Sequence, residues 1–171
     1  KMLDIVNKVK VKKGDLFFIE AGTMHAICKG IMLAEVQQNS NTTYRIYDYG
    51  RLGADGQPRP LHMDKAADVT NLYPPVIPDA SQRKTEAQGG GVRAELTACD
   101  LFKMYDIKVD GNYESFADET SFVSLLCLDG EASVECGKTT LTMVKGESLF
   151  IPANSGKFAI NGKADFLETR I

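Results

Sequence analysis

Short apolar runs separated by turn residues recur through the second half of the chain, roughly every 8–12 residues. This spacing predicts seven short strands, at residues 101–109, 121–128, 131–136, 139–143, 148–151, 157–160 and 164–170. Turns between them are predicted at Asp129-Gly130, Gly137-Lys138 and Asn161-Gly162. Evenly spaced strands joined by tight turns indicate an antiparallel sandwich or barrel.

The first half has a similar but less complete pattern. Strands are predicted at residues 16–19, 31–38 and 42–47, and one short helix is predicted at residues 62–71, where apolar side chains recur on one side. Prolines and then a polar, glycine-rich stretch follow, which is typical of a linker or a long surface loop. We therefore predict a first domain at residues 1–75, a linker at 76–94 and a second domain at 95–171.

Two segments of the chain repeat each other. Residues 11–30 and 143–162 align at a constant offset, so that Gly14 matches Gly146 and His25 matches Lys157. An imidazole can bind a divalent metal, whereas a protonated amine cannot. The first copy is therefore a candidate for a metal site, and the second copy is not.

The two copies differ in what precedes them. The first copy begins after only ten residues, whereas the second follows a long stretch of predicted strand. A half-built sheet leaves open edges and an uncovered apolar face. We expect this chain to be the back portion of a longer protein, in which case open edges favour dimerisation; a small domain with a divergent front is the alternative.

Composition excludes several classes of protein. The net charge of −3 gives no reason to expect nucleic acid or an anionic membrane as a partner. No apolar run approaches the ~20 residues that a membrane span needs. The four cysteines form no CxxC pair and suggest reduced thiols in a cytoplasmic protein.

Three residues are candidates for chemistry. His25 follows a glycine turn at the start of a predicted strand, where it either binds a metal or is a buried, hydrogen-bonded histidine. Glu35 shares a strand face with apolar residues, which suits a general base, although an exposed edge-strand glutamate has the same pattern. Arg45 lies between tyrosines and offers a fork of donors to an oxyanion, or forms a salt bridge with Asp48.

The combined segment GTMHAICKGIMLAEVQQNSNTTYRIYDYGR closely resembles the signature of type I mannose-6-phosphate isomerases, in particular the short bacterial form. The segments LHMDKA at 61–66 and GESLFIPA at 146–153 also resemble that family. The resemblance covers nearly the whole chain and is most specific between residues 11 and 51.

The resemblance implies an all-β, cupin-like jelly roll: the back part of a catalytic barrel, one short connecting helix, and a complete smaller C-terminal barrel without metal. It implies a zinc-dependent isomerase that interconverts mannose 6-phosphate and fructose 6-phosphate through an enediolate, with a sugar phosphate as its partner. In that family His25 matches the last zinc ligand and Arg45 the catalytic arginine, while Glu35 lies near a proposed acid/base.

One departure from the family is large. The family takes its other zinc ligands from an earlier Gln-x-His motif and an upstream glutamate, and this chain has neither, since its only other histidine is His62. We therefore expect the chain to be inactive alone and to hold zinc weakly or not at all. Two alternatives remain open: a non-catalytic cupin module that binds sugar or regulates a partner, and a purely structural β-module. Arg51 and Lys65 are basic residues in loops where a phosphate could bind, or they are solvated surface residues. The residues that bind phosphate are not assigned.

Overall fold

The computed structural model describes residues 4, 6–74, 77 and 80–171. Over these residues the chain divides into two compact units. One, here called the helix unit, lies within residues 18–77; the other, the sheet unit, combines residues from 1–17 with residues from 78–171. Among the described residues, no helix has the length and apolar character that crossing a bilayer requires.

The sheet unit is built on one seven-stranded antiparallel sheet. Its strands are β1 (Thr85–Gln88), β2 (Gly91–Ala98), β3 (Lys103–Ala117), β4 (Val123–Cys136), β5 (Thr139–Val144), β6 (Ser148–Ile151) and β7 (Gly156–Arg170). They lie in the order β1-β2-β3-β7-β4-β5, and β6 pairs with β4. The mostly β, antiparallel character predicted from the sequence is confirmed, with strands at every position predicted after residue 100.

Two predicted turns are wrong. Asp129-Gly130 lies inside β4 and Asn161-Gly162 lies inside β7, so each pair of predicted short strands is one long strand. The glycines bend these strands instead of reversing them, with φ values of +79° at Gly130 and +144° at Gly162. A Cβ on Gly162 would lie 2.7 Å from the carbonyl oxygen of Glu131 in the neighbouring strand, which only glycine avoids. The third predicted turn, Gly137-Lys138, is confirmed, since Cys136 pairs with Thr139 across it.

The predicted linker at 76–94 also differs from the structure, because residues 85–88 and 91–94 are strand. β1 and β2 form a hairpin in which Gln88 pairs with Gly91, so the turn is Gly89-Gly90. Every side chain of β1 is exposed, and therefore this strand lacks the apolar alternation that would have predicted it.

The core of the sheet unit comes from alternate residues of the long strands. β4 begins with buried Val123, Leu125 and Cys127 in alternation, as expected for a strand with one face turned to a core. Burying each large aliphatic or aromatic side chain contributes about 1.5–3 kcal/mol before entropy is counted. The largest side chains buried in this core are Ile107, Tyr113, Leu125, Phe158, Ile160 and Phe166.

A carboxylate is buried near the end of β7. Glu168 is 0% exposed, and its Oε1 accepts hydrogen bonds from Arg93 Nη2 at 2.6 Å and from Arg170 Nε at 2.9 Å. Its Oε2 accepts a third from Arg170 Nη2 at 3.1 Å. Two guanidinium groups thus satisfy an ion whose burial would otherwise be very costly. The Arg93 side chain also lies against an aromatic face, with its Cζ 3.4 Å from the centre of the Tyr105 ring.

The helix unit contains α1 (Met63–Val69), close to the predicted 62–71. None of its described residues lies in a named strand, so the strands predicted at 31–38 and 42–47 are absent, as is the one predicted at 16–19, where the two units meet in sequence. A strand exists only through pairing with a neighbour. The apolar side chains of Ile31 and Leu33 are exposed here.

The internal repeat is visible in the backbone. In the first copy, Asp15 accepts a hydrogen bond from Lys12 N at 2.9 Å, and its own N–H donates to Lys12 O at 3.1 Å, with Gly14 at φ +91°. The second copy repeats this turn with the corresponding distances of 2.9 and 3.0 Å and a φ of +91°, at Val144, Glu147 and Gly146. The structure therefore supports the register that matches His25 with Lys157.

Candidate functional site

The segment that carries His25 is fixed by a tight turn. Thr23 N–H donates to Glu20 O at 3.0 Å, and Gly22 adopts a φ of +86°. The carbonyl of Gly22 accepts from Asn71 N–H at 2.8 Å, just beyond α1. A Cβ at Gly22 would lie 2.4 Å from the carbonyl oxygen of Val69, so this close approach requires glycine.

His25 itself is exposed, and its Nδ1 lies 2.9 Å from the carbonyl oxygen of Thr23. Since a carbonyl only accepts, Nδ1 is the donor in this contact, and the neutral ring then has its lone pair on Nε2. Metal-binding histidines commonly donate their other ring nitrogen to a carbonyl in this way. His25 therefore has the hydrogen bond of the alternative interpretation but not its burial, and its role as a metal ligand stays a prediction.

Glu35 is also exposed. Across the described part of the chain its carboxylate has no hydrogen-bond or ion-pair partner. A free carboxylate of this kind can accept a proton from a ligand, but none of the described residues of the helix unit orients it.

Arg45 is held to the start of the helix by its backbone. Its N–H donates to His62 Nδ1 at 3.1 Å, and its carbonyl accepts from His62 N–H at 2.7 Å. His62 is the residue that caps the N-terminus of α1, and its ring lies 6.0 Å from that of Tyr44. No role was predicted for His62 from the sequence, whereas in the structure it holds the backbone of Arg45. Its place immediately before a helix was the available signal.

The salt bridge with Asp48 that was suggested for Arg45 is formed by Arg59 instead. Arg59 donates to both carboxylate oxygens of Asp48 through Nε, at 2.6 Å, and through Nη2. This hydrogen bonding holds the pKa of Asp48 below its usual range, although partial burial opposes the shift, and Arg51 and Arg45 add weaker electrostatic contributions. Among the described residues, neither Arg45 nor Arg51 has a carboxylate partner.

The three predicted site residues remain separate here. No hydrogen bond, ion pair or ring contact within the described residues joins His25, Glu35 and Arg45. The same residues contain no cluster of three or more His, Cys, Asp or Glu side chains that would hold a metal ion. Because a catalytic zinc usually takes about three protein ligands, His25 does not form a complete site with its described neighbours.

The residue that matches His25 in the second copy lies in the sheet unit. Lys157 is near the start of β7, and its Nζ forms an ion pair with Glu114 of β3 at 2.8 Å. The repeat therefore carries a cation with a carboxylate partner at the position where the first copy carries an imidazole.

Comparison with known proteins assigns the chain to a family. Residues 93–170 match the family model of the cupin domain of mannose-6-phosphate isomerase. Mannose-6-phosphate isomerase ManA of Bacillus subtilis (strain 168) is 33% identical over 168 residues, which is 98% of this chain and 52% of that protein. Mannose-6-phosphate isomerase of Streptococcus mutans is 30% identical over 163 residues, which is 95% of this chain and 50% of that protein.

The structural comparison agrees. A crystal structure of the mannose 6-phosphate isomerase from Bacillus subtilis superposes with a TM-score of 0.68 and 30% identity, covering 78% of this chain and 42% of that one. The chain spans about half the length of the curated relatives that it matches first. With a family model over residues 93–170, a sequence relative over 98% of the chain and a structural match over 78% of it, this chain belongs to the mannose-6-phosphate isomerase family.

Proposed function

We propose that this chain is the C-terminal portion of a zinc-dependent isomerase that interconverts mannose 6-phosphate and fructose 6-phosphate. The observation that carries the proposal is the alignment of 98% of the chain with a relative named for that activity, at 33% identity. The four cysteines are all free thiols, which fits a cytoplasmic enzyme.

The reaction needs a proton to move between neighbouring carbons. A base removes the proton from C2 of the aldose, and the electron pair moves to leave an enediolate with negative charge on O1. Returning that proton to C1, while the O2 proton passes to O1, completes the ketose. We assign the proton transfer to Glu35, whose carboxylate is exposed and unpartnered among the described residues.

Arg45 is assigned to the developing oxyanion. Its backbone is fixed by His62, and no carboxylate within the described residues neutralises its guanidinium. A preorganised cation that faces charge as it develops is typically worth about 10²–10³ in rate. Arg51, which lies 5.8 Å from the centre of the Tyr49 ring, adds a second unpaired cation in the same segment. Two such cations suit a phosphorylated substrate.

Metal binding is assigned only in part. The Nε2 lone pair of His25 fits one zinc ligand, but its described neighbours do not complete a donor set. We therefore assign His25 as a single ligand within a longer protein. We expect the chain to have no turnover by itself, and we derive no catalytic step through the metal.

The test is reconstitution. The 171-residue chain is mixed with a separately expressed N-terminal half of ManA and zinc, and fructose 6-phosphate formation is followed in a coupled assay. We expect turnover only in the mixture. Arg45→Gln should lower kcat by about 10²–10³-fold and Glu35→Gln by about 10²–10⁴-fold. Lys29→Gln, which removes an exposed charge from the same unit, should leave kcat unchanged.

A second candidate function is a non-catalytic module that binds sugar or regulates a partner. The observation in its favour is that the described residues contain no metal cluster. Robust turnover by the chain alone would refute our assignment of a partial enzyme. Saturable sugar binding in a mixture that remains inactive would support the module instead.

A further inference from the structure

A cationic cleft lies on the sheet unit, and none of the residues assigned above lines it. It has a volume of about 430 Å³, and its lining includes the cations Arg93, Lys157 and Arg170. Ser115 and Glu114 of β3 also line it. Its size falls in the range of clefts that hold small-molecule ligands, roughly 300–1,000 Å³.

Two of the three cations are held rigidly. Arg93 and Arg170 both donate to the fully buried Glu168, as described above. Arg170 also donates from Nη1 to Phe116 O at 2.7 Å and from Nη2 to Ser115 Oγ at 2.9 Å. Side chains that are fixed in this way lose little further freedom when a ligand binds, and so they favour binding.

The third cation is held loosely. The side chains of Lys157 and Glu114 are 68% and 48% exposed, and an exposed ion pair of this kind contributes only about 0–1 kcal/mol. A ligand that carries a stronger negative charge than one carboxylate can therefore displace Glu114 from Lys157. With Glu114 moved away, three cations face one carboxylate, Glu168, which leaves a net charge of +2 in the cleft.

The position of Lys157 in the internal repeat indicates which kind of ligand this cleft suits. Lys157 occupies the repeat position at which the first copy carries His25, and the turn geometry of the two copies confirms the alignment. The second copy has thus exchanged a possible metal ligand for an amine, in a cleft that already contains two guanidinium groups. Such a set of donors suits an oxyanion and not a cation.

We propose that this cleft binds the phosphate group of a small phosphate monoester. The phosphate takes the place of Glu114 beside Lys157 and accepts hydrogen bonds from the arginine and serine donors. The exposed ring of Phe116 and the side chain of Gln88 line the part of the cleft that the organic portion occupies. This site goes beyond the proposed isomerase function and does not depend on it.

The test measures binding to the full 171-residue chain by isothermal titration calorimetry. The probes are mannose 6-phosphate, inorganic phosphate and neutral mannose. We expect saturable binding of at least one phosphate probe and none of mannose. Binding of both phosphate probes with equal affinity would assign recognition to the phosphate group, whereas preference for the sugar phosphate would assign it also to the organic portion.

Three variants locate the site. Lys157→Gln should weaken phosphate binding about tenfold, since it removes one charged hydrogen bond. Lys163→Gln is the matched control, because Lys163 lies on the same strand and forms a similar 2.8 Å ion pair, with Asp110, outside the cleft lining. It should change affinity by less than about twofold. Glu114→Gln should tighten binding about threefold, since it removes the competing carboxylate.

Equal effects of Lys157→Gln and Lys163→Gln would overturn the proposal, as would binding of mannose equal to that of mannose 6-phosphate. The absence of saturable binding of either phosphate probe below about 10 mM, roughly −2.7 kcal/mol, would overturn it as well. Circular dichroism on each variant confirms that the sheet is intact. Lys29→Gln, which removes an exposed charge from the helix unit, should leave this binding unchanged. The isomerase assignment is tested by turnover of the reconstituted mixture, so failure of the cleft and failure of that assignment are separate results.

Discussion

The buried carboxylate of Glu168 allows a sharp test of what stabilises the sheet unit. Glu168→Gln keeps the shape of the side chain but leaves two guanidinium groups with one neutral amide oxygen in place of a carboxylate. Removing one partner of a fully buried ion pair costs about 3–5 kcal/mol. The side chains of Arg93 and Arg170 are 24% and 16% exposed, so water compensates in part. We expect a loss of about 2–4 kcal/mol in the free energy of unfolding.

Urea denaturation measures this loss. With a slope of about 2 kcal/mol per molar urea, the midpoint should fall by about 1–2 M while the slope stays constant. The control is Glu114→Gln, which removes a half-exposed carboxylate from the neighbouring strand and should cost at most about 1 kcal/mol. A midpoint shift for Glu168→Gln no larger than that of Glu114→Gln would refute the reasoning.

A second variant separates charge from packing. Replacing the whole cluster with apolar residues, as Arg93→Met with Glu168→Leu and Arg170→Met, leaves no buried charge without a partner. It should therefore be more stable than Glu168→Gln alone, by about 1–3 kcal/mol. A triple variant that is less stable than the single one would show that the cluster contributes through its hydrogen bonds and not merely by compensating its own burial.

A bent strand, a surface ion pair and a buried phenol give three further expected outcomes. Gly162→Ala should cost about 2 kcal/mol more than Gly156→Ala in urea unfolding, because both glycines have positive φ but only at 162 would a Cβ meet neighbouring backbone. Equal costs would contradict this. NMR titration should place the pKa of Asp48 below its usual range, and Arg59→Gln should return it. Since the folded pKa is lowered, this pair stabilises the protein above about pH 4 and ceases to do so as pH falls through the lowered value; an unchanged titration in Arg59→Gln would rule out the cause. Burial raises the pKa of Tyr113, so its contribution to stability is present below about pH 10 and lost as pH rises through the raised value. Ultraviolet titration should show one late-ionising tyrosine that Tyr113→Phe removes; a late phase that persists would assign it to another residue.

The long strands of the sheet unit were predictable because each buries one face, whereas β1 buries none and was missed. The apolar residues that alternate along β4 and the apolar runs of β3 and β7 predicted the positions of these strands correctly. The errors lie at glycines. Asp129-Gly130 and Asn161-Gly162 have the composition of tight turns, but their flanking segments pair with the same opposite strand, so positive φ produces a bend. Pairing partners are a tertiary property that a local dipeptide does not contain.

The candidate site was predictable only as a set of residue types. His25, Glu35 and Arg45 followed from a family signature, whereas the clamp between Arg45 and His62 depends on one backbone and one side-chain hydrogen bond between residues 17 positions apart. The strands predicted near His25 and Glu35 are absent because a strand also needs a neighbour to pair with. Sequence alone offers candidate side chains but not the groups that hold them.

β7 lies at the centre of the sheet and yet comes last of the seven strands in chain order. It pairs with β3 along fifteen residues on one side and with β4 on the other. In this order only β7 connects β1–β3 with β4–β6, and without it β3 and β4 would each have an open edge. In a concentrated solution, the strand that pairs with those edges can come from a second molecule. Exchange of β7 between copies is therefore the misfolding route that this topology favours.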